Sequence, residues 1–211
     1  MCDNAARSAS ASHGVPHDVL MAISRAETGR SKSGRLQPWP WTVNMEGAGK
    51  WFADQDEARA YVFKHFKRGA RSFDVGCFQV NYKWHGAAFR SIDDMFDPKL
   101  NADYAAQFLL ELYNEFGNWT AAAGAYHSRT PVHAKSYAAR FEKIRNSIEP
   151  ADDPEYAANT RTPDDEPLVA GDLLNGGFRK PLIGSGSARL GSLVPLLRKD
   201  ESQGRAFVMM N

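Results

Sequence analysis

Cysteine is scarce in this chain, an excess of charge of one sign is missing, and no long apolar run occurs. The two cysteines, Cys2 and Cys77, stand far apart, and the six histidines are scattered. No zinc-ligand spacing arises from them, so no metal is expected. Lys+Arg number 26 against Asp+Glu 25, a formal charge of +1. That balance gives no electrostatic footprint for nucleic acid, and no nucleic-acid partner is expected. No apolar stretch comes near the ~20 residues that a membrane helix needs. Internal repeats are also lacking. The N-terminus opens directly on an Ala/Ser-rich segment, with neither a basic region nor an apolar core of the signal-peptide kind. Taken literally this is a cytoplasmic start. It fits equally a mature chain in which an initiator Met stands in place of a removed signal peptide.

Composition divides the chain near residue 148. All five Trp lie between Trp39 and Trp119, whereas six of the eleven Pro fall from Pro150 onward. The later stretch holds Asp/Pro/Glu clusters, the Gly184-Ser-Gly-Ser187 run and only three aromatics, Tyr156, Phe178 and Phe207. Such a segment cannot bury enough apolar surface to offset its ordering entropy. The expectation is a domain over residues 1–148 and a largely disordered tail over 149–211.

Within the domain the period is helical. Pro16 suits a first helical position, with Val19, Ala22, Ile23 and Ala26 in a stripe that ends near Gly29. Asp54 and Glu57 form a capping box ahead of Ala58, Tyr61, Val62, His65 and Phe66. Asn101 is expected to cap the strongest helix, with Phe108, Leu109 and Leu112 inward and Gly117 as its stop. Asn118 caps the next, and Thr130-Pro131 starts the last, with Tyr137, Phe141, Ile144 and Ile148 on one side. The segment from Pro40 to Phe52, with aromatic and β-branched runs around Met-Glu-Gly-Ala-Gly, predicts a small hairpin. The fold class is therefore mainly α with one short β element.

Glu27 stands out because it lies four residues after Ile23 and seven after Leu20, on the apolar side of its helix. Burial disfavours the charged carboxylate and raises its pKa, the condition for a general acid near neutral pH. Periodicity alone favours the ordinary alternative, a last-turn Glu that reaches water. Asp74-Val-Gly-Cys-Phe-Gln-Val-Asn81 supplies neutral amides suited to sugar hydroxyls and N-acetyl groups, with Gly76 allowing close backbone approach. Alone it is a strand or turn. Tyr126 alone is a core aromatic. Gly47-Ala-Gly-Lys50 is not a phosphate loop, since Asn44 and Trp51 stand where Gly and Ser/Thr are required.

Taken in order, Glu27-Thr-Gly, Gly76-Cys-Phe-Gln and Ala125-Tyr-His resemble the three signature motifs of the lysozyme-like lytic transglycosylases with an SLT domain, whose patterns are roughly Glu-Ser-Gly, Gly-Leu-Met-Gln and Ala-Tyr-Asn. The resemblance runs over about residues 2–148 and includes the Trp39-Pro-Trp-Thr-Val-Asn44 hairpin of one proteobacterial branch. It implies a lysozyme-like fold and cleavage of peptidoglycan glycan strands in the periplasm without a cofactor. Glu27 would be the catalytic acid/base. Substrate contacts are expected from Thr28, Phe78, Gln79, Asn81, Tyr126 and His127, with Tyr126 against the reacting sugar or Glu27.

Thr28 replaces the usual Ser, Cys77-Phe78 replaces Leu-Met, and His127 replaces Asn. No second acid accompanies Glu27 in the motifs except Asp74, whose use would make the enzyme a lysozyme-type hydrolase. A non-catalytic wall-binding or assembly protein is a further alternative. The cysteines are compatible with a periplasmic disulfide, or with a free Cys77 and a Cys2 that carries a lipid. The tail, with its apolar cluster from Leu190 to Leu197, is expected to bind a protein partner such as a flagellar rod or secretion-apparatus component.

Overall fold

A computed structural model describes residues 1–32 and 34–148. The expected tail, 149–211, lies outside the described residues. The Ala/Ser-rich start forms helix α1 (Cys2–His13), which the composition did not announce. Its buried face is Cys2, Ala5, Ala6 and Ala9, small side chains at helical spacing that let α1 lie close against the long helix α6 (Pro98–Phe116). Gly14, in the left-handed region with φ 72°, ends α1 and turns the chain into α2 (His17–Thr28). Every residue of α2 from Asp18 to Ala26 is buried, so this helix runs through the middle of the domain. Pro16 stands one position before it, not inside it.

A short hairpin follows, β1 (Arg30–Lys32) with β2 (Arg35–Gln37). It is exposed and polar, so no alternation marked it in the sequence. The expected hairpin is β3 (Thr42–Met45) with β4 (Ala48–Trp51). Its turn places Glu46 at φ 53° and Gly47 at φ 92°, the pair of positive φ angles that a two-residue turn between twisted strands requires. Helix α3 (Gln55–Lys67) begins at the expected cap: Asp54 accepts from the Glu57 amide, and Glu57 accepts from the Ala53 amide. Strands β5 (Phe73–Val75) and β6 (Val80–Asn81) complete an antiparallel sheet of order β4-β3-β5-β6. The single expected hairpin is thus one half of a four-stranded sheet.

Two short helices, α4 (Tyr82–His85) and α5 (Ile92–Phe96), lead to α6. Asp97 caps α6, accepting from the amides of Lys99 and Leu100, with Pro98 in the first turn. Asn101, expected as that cap, sits one turn inside the helix and is completely buried. Asn118 caps α7 (Trp119–His127), and α8 (Pro131–Arg145) packs on both α7 and α2. Among the described residues no helix is long and apolar enough to cross a membrane.

Candidate active site

Glu27 lies in the last turn of α2, where that helix meets α8. Unlike its neighbours on α2 it is only partly buried, so its carboxyl sits deep yet keeps an opening. Tyr137, from the apolar stripe of α8, donates its hydroxyl to Glu27 Oε1 at 2.6 Å. Burial pushes the Glu27 pKa up to about 7, against smaller opposing effects of the Tyr137 hydrogen bond and the Arg140 charge. A carboxyl with that pKa is largely able to hold a proton at neutral pH and can also release it. The sequence hid Tyr137 because a tyrosine on an apolar stripe reads as core. Its only distinguishing mark was a hydroxyl needing a partner.

Opposite this helical wall stands the sheet. The register aligns Asn44 of β3, Asp74 of β5 and Asn81 of β6 in one cross-strand row. Asn81 Nδ2 donates to Asp74 Oδ1 at 2.7 Å, and Asn44 also hydrogen-bonds Asp74. Burial raises the Asp74 pKa well above the usual carboxylate range; the Asn81 bond lowers it and the charge of Glu27 raises it further. Two carboxyls therefore compete for negative charge across the same site.

The loop between β5 and β6 is Gly76-Cys-Phe-Gln79. Gly76 has φ 82°, and a Cβ there would meet the Asn101 side chain at 2.7 Å, so only glycine fits. Asn101 fills the loop with three hydrogen bonds. Its Oδ1 accepts from the Phe78 amide at 2.9 Å, and its Nδ2 donates to the Val75 and Met95 carbonyls, each at 3.1 Å. Tyr126 donates to the Phe78 carbonyl at 2.8 Å. Gln79 takes a left-handed conformation, φ 47°, rare for a side-chain-bearing residue, and donates through Nε2 to the Thr42 and Gly76 carbonyls, each at 3.0 Å. Its Oε1 is buried without a partner among the described residues, an acceptor with capacity to spare.

Cys77 is bonded to Cys2, with Cα atoms 5.6 Å apart, so the disulfide reading of the two cysteines holds. The bridge ties the motif loop to α1. Asp3, beside Cys2, pairs with Arg25 at 2.7 Å, two residues before Glu27.

The sequence-derived set is thus brought to one place, in two different postures. Glu27 and His127 retain surface, whereas Thr28, Phe78 and Tyr126 are fully enclosed and Gln79 and Asn81 nearly so. Thr28 spends its hydroxyl on the Ser24 carbonyl at 2.9 Å while accepting from the Trp39 amide at 3.1 Å. Asn81 is occupied by Asp74 and by the α4 cap. Tyr126 gives its hydroxyl to the Phe78 carbonyl and also feels the charge of Glu27. These side chains have partners inside the protein and hold the site's shape. The His127 ring lies flat on the Tyr137 ring, centroids 4.5 Å apart and 8° from parallel.

Fold and site together define a class: a mainly helical domain with a partly buried acid facing a small antiparallel sheet. Residues 57–148 match the family model described as the transglycosylase SLT domain, which supports the SLT family and a peptidoglycan-acting function of lytic-transglycosylase type. The matched segment holds the motif loop, Tyr126, His127 and Tyr137; Glu27 lies before it. No curated protein and no solved structure matches this chain.

Proposed function

We propose that this protein is a peptidoglycan lytic transglycosylase that cleaves the MurNAc–GlcNAc β-1,4 bond with Glu27 as its one acid/base. The observation that carries the reading is the Glu27 carboxyl itself, buried, pushed up to about 7 and held by Tyr137. Protonated Glu27 gives its proton to the glycosidic oxygen as the bond to C1 breaks. The MurNAc acetamido oxygen supports the electron-poor C1. The Glu27 carboxylate then takes the proton of the sugar's 6-hydroxyl, whose oxygen bonds to C1 and closes 1,6-anhydro-MurNAc. Glu27 ends protonated, as it began, so no outside base is consumed.

In this reading Gln79 contacts the glycan through its unpaired Oε1, while Thr28, Phe78, Asn81 and Tyr126 act from behind by fixing the loop and the end of α2. The Cys2–Cys77 bridge supports an oxidising, periplasmic setting. The Trp39–Asn44 hairpin supports the proteobacterial branch. Composition alone supports recruitment to a wall-spanning machine, a flagellum or secretion system, through residues 149–211.

A second reading, a lysozyme-type hydrolase, is favoured by one observation: Asp74 feels the charge of Glu27. Burial and the charge of Glu27 hold Asp74 toward its neutral form, against the opposing pull of its amide hydrogen bonds, which weakens it as a base for water. Mass spectrometry of muropeptides released by the purified protein separates the readings. The main product is expected to end in 1,6-anhydro-MurNAc. Reducing-end MurNAc would assign hydrolysis and make Asp74 the next residue to replace.

A further inference from the structure

The side chain that departs furthest from the family's third motif is His127, where the pattern has Asn. Three observations bear on it. Its ring is stacked face to face on Tyr137, at 4.5 Å and 8°. The Tyr137 hydroxyl in turn donates to Glu27 Oε1 at 2.6 Å. Tyr126, the preceding residue, is fixed by its bond to the Phe78 carbonyl, so the backbone that carries His127 is anchored. A phenol can swing about χ1 and χ2 unless something defines its plane, and a parallel ring does that.

We propose that His127 is a positioning residue: by stacking on Tyr137 it fixes the direction from which the Tyr137 hydroxyl reaches Glu27, and so sets how readily Glu27 gives up its proton. The proposal rests on the reading of Glu27 as the acid, and it departs from the expectation that His127 contacts substrate.

Titratable groups on three elements act on Glu27. From α8 it faces Tyr137 and Arg140, from β5 Asp74, and from α7 Tyr126. Burial, with His133 and Arg140 nearby, lowers the His127 pKa to about 4. His127 is therefore neutral throughout the range in which Glu27 titrates, and its influence there is one of geometry, not charge. The Tyr137 bond stabilises the Glu27 carboxylate, so loosening it must raise the Glu27 pKa.

The test compares His127→Ala, His127→Phe and Tyr137→Phe in the full chain. Two readouts are taken: the pH–rate profile on peptidoglycan, and the Glu27 carboxyl titration by 13C NMR, assigned by its absence in Glu27→Gln. His127→Ala is expected to move the Glu27 titration up by about one pH unit. It should also lower kcat about tenfold while leaving KM within about twofold, as expected for a misdirected acid. His127→Phe, which restores a flat ring without a nitrogen, should return both to wild type. In a Tyr137→Phe background, His127→Ala should move neither.

If His127→Ala does not fold, His127→Leu fills the same space without a ring plane and takes its place. A raised KM with an unmoved Glu27 titration would overturn the proposal and give His127 to the substrate. So would His127→Phe behaving like His127→Ala. The NMR titration needs no turnover, so it tests the stack even if no muropeptide is released, a result that would instead defeat the proposed function.

Discussion

The helical wall of the site and the sheet wall are built by opposite means. On the helical side, α2 and α8 desolvate Glu27, whose carboxyl accepts a hydrogen bond from Tyr137 and feels the charge of Arg140. On the sheet side hydrogen bonds are dense: Asn101 makes three, Tyr126 one, Gln79 two and Asn81 two, and a disulfide is added, although Asn44 Oδ1 and Gln79 Oε1 have no partner among the described residues. A carboxyl with few partners is left free to exchange a proton. A loop tied by several hydrogen bonds and a disulfide is held in place. The contrast teaches that reactivity here is purchased with desolvation and accuracy with hydrogen bonds, each on its own wall of the site.

The comparison breaks most severely at Glu27. Glu27→Gln keeps the shape and the Tyr137 contact but cannot donate a proton, and should lower peptidoglycan turnover at least about a hundredfold, measured as released muropeptides. Residual activity of more than a few per cent would remove Glu27 from its role.

On the sheet wall, the next largest effect is loss of the bridge. Cys2 and Cys77 are 75 residues apart, and a loop of that size implies about 4 kcal/mol of chain-entropy stabilisation. A Cys2→Ser/Cys77→Ser double variant should therefore melt roughly 10 °C lower in calorimetry. An unchanged melting temperature would show that the bridge contributes nothing to the fold.

Asn101→Ala should follow, costing about 3 kcal/mol because it strands the Phe78 amide and the Val75 and Met95 carbonyls. Denaturant unfolding reads that loss. It also sharpens the contrast, since this variant should lower activity without moving the pH at which Glu27 titrates.

The helical wall was the more legible of the two in the sequence. Periodicity placed α2, α3, α7 and α8, and a carboxylate on an apolar stripe singled out Glu27. Tyr137 escaped because its partner lies 110 residues away and its own spacing is that of any core aromatic. The sheet wall was legible as a motif but not as a structure. Strand β6 has two residues and β5 three, too short for an alternation to register. Asn101 read as a helix cap because capping and buried bridging use the same amide chemistry, and only tertiary contacts decide between them. Helix α1 stayed hidden because an alanine face has little hydrophobic contrast, although it packs closely on α6.

The central claim is that Glu27 holds its proton to near neutrality because the fold desolvates it. The most direct measurement is the stability difference between wild type and Glu27→Gln as a function of pH. The folded-state pKa is raised from 4.5 to about 7, so between those values folded wild type binds more protons than unfolded chain, and its stability falls as pH rises. Below pH 4.5 the difference between the two proteins should be constant. Across the window it should shift in favour of the Gln variant, by about 2 kcal/mol above pH 7 after allowing for partial exposure of the carboxyl. A difference that stays flat from pH 4 to pH 8 would contradict the account, because Glu27 would then titrate as an ordinary surface carboxylate.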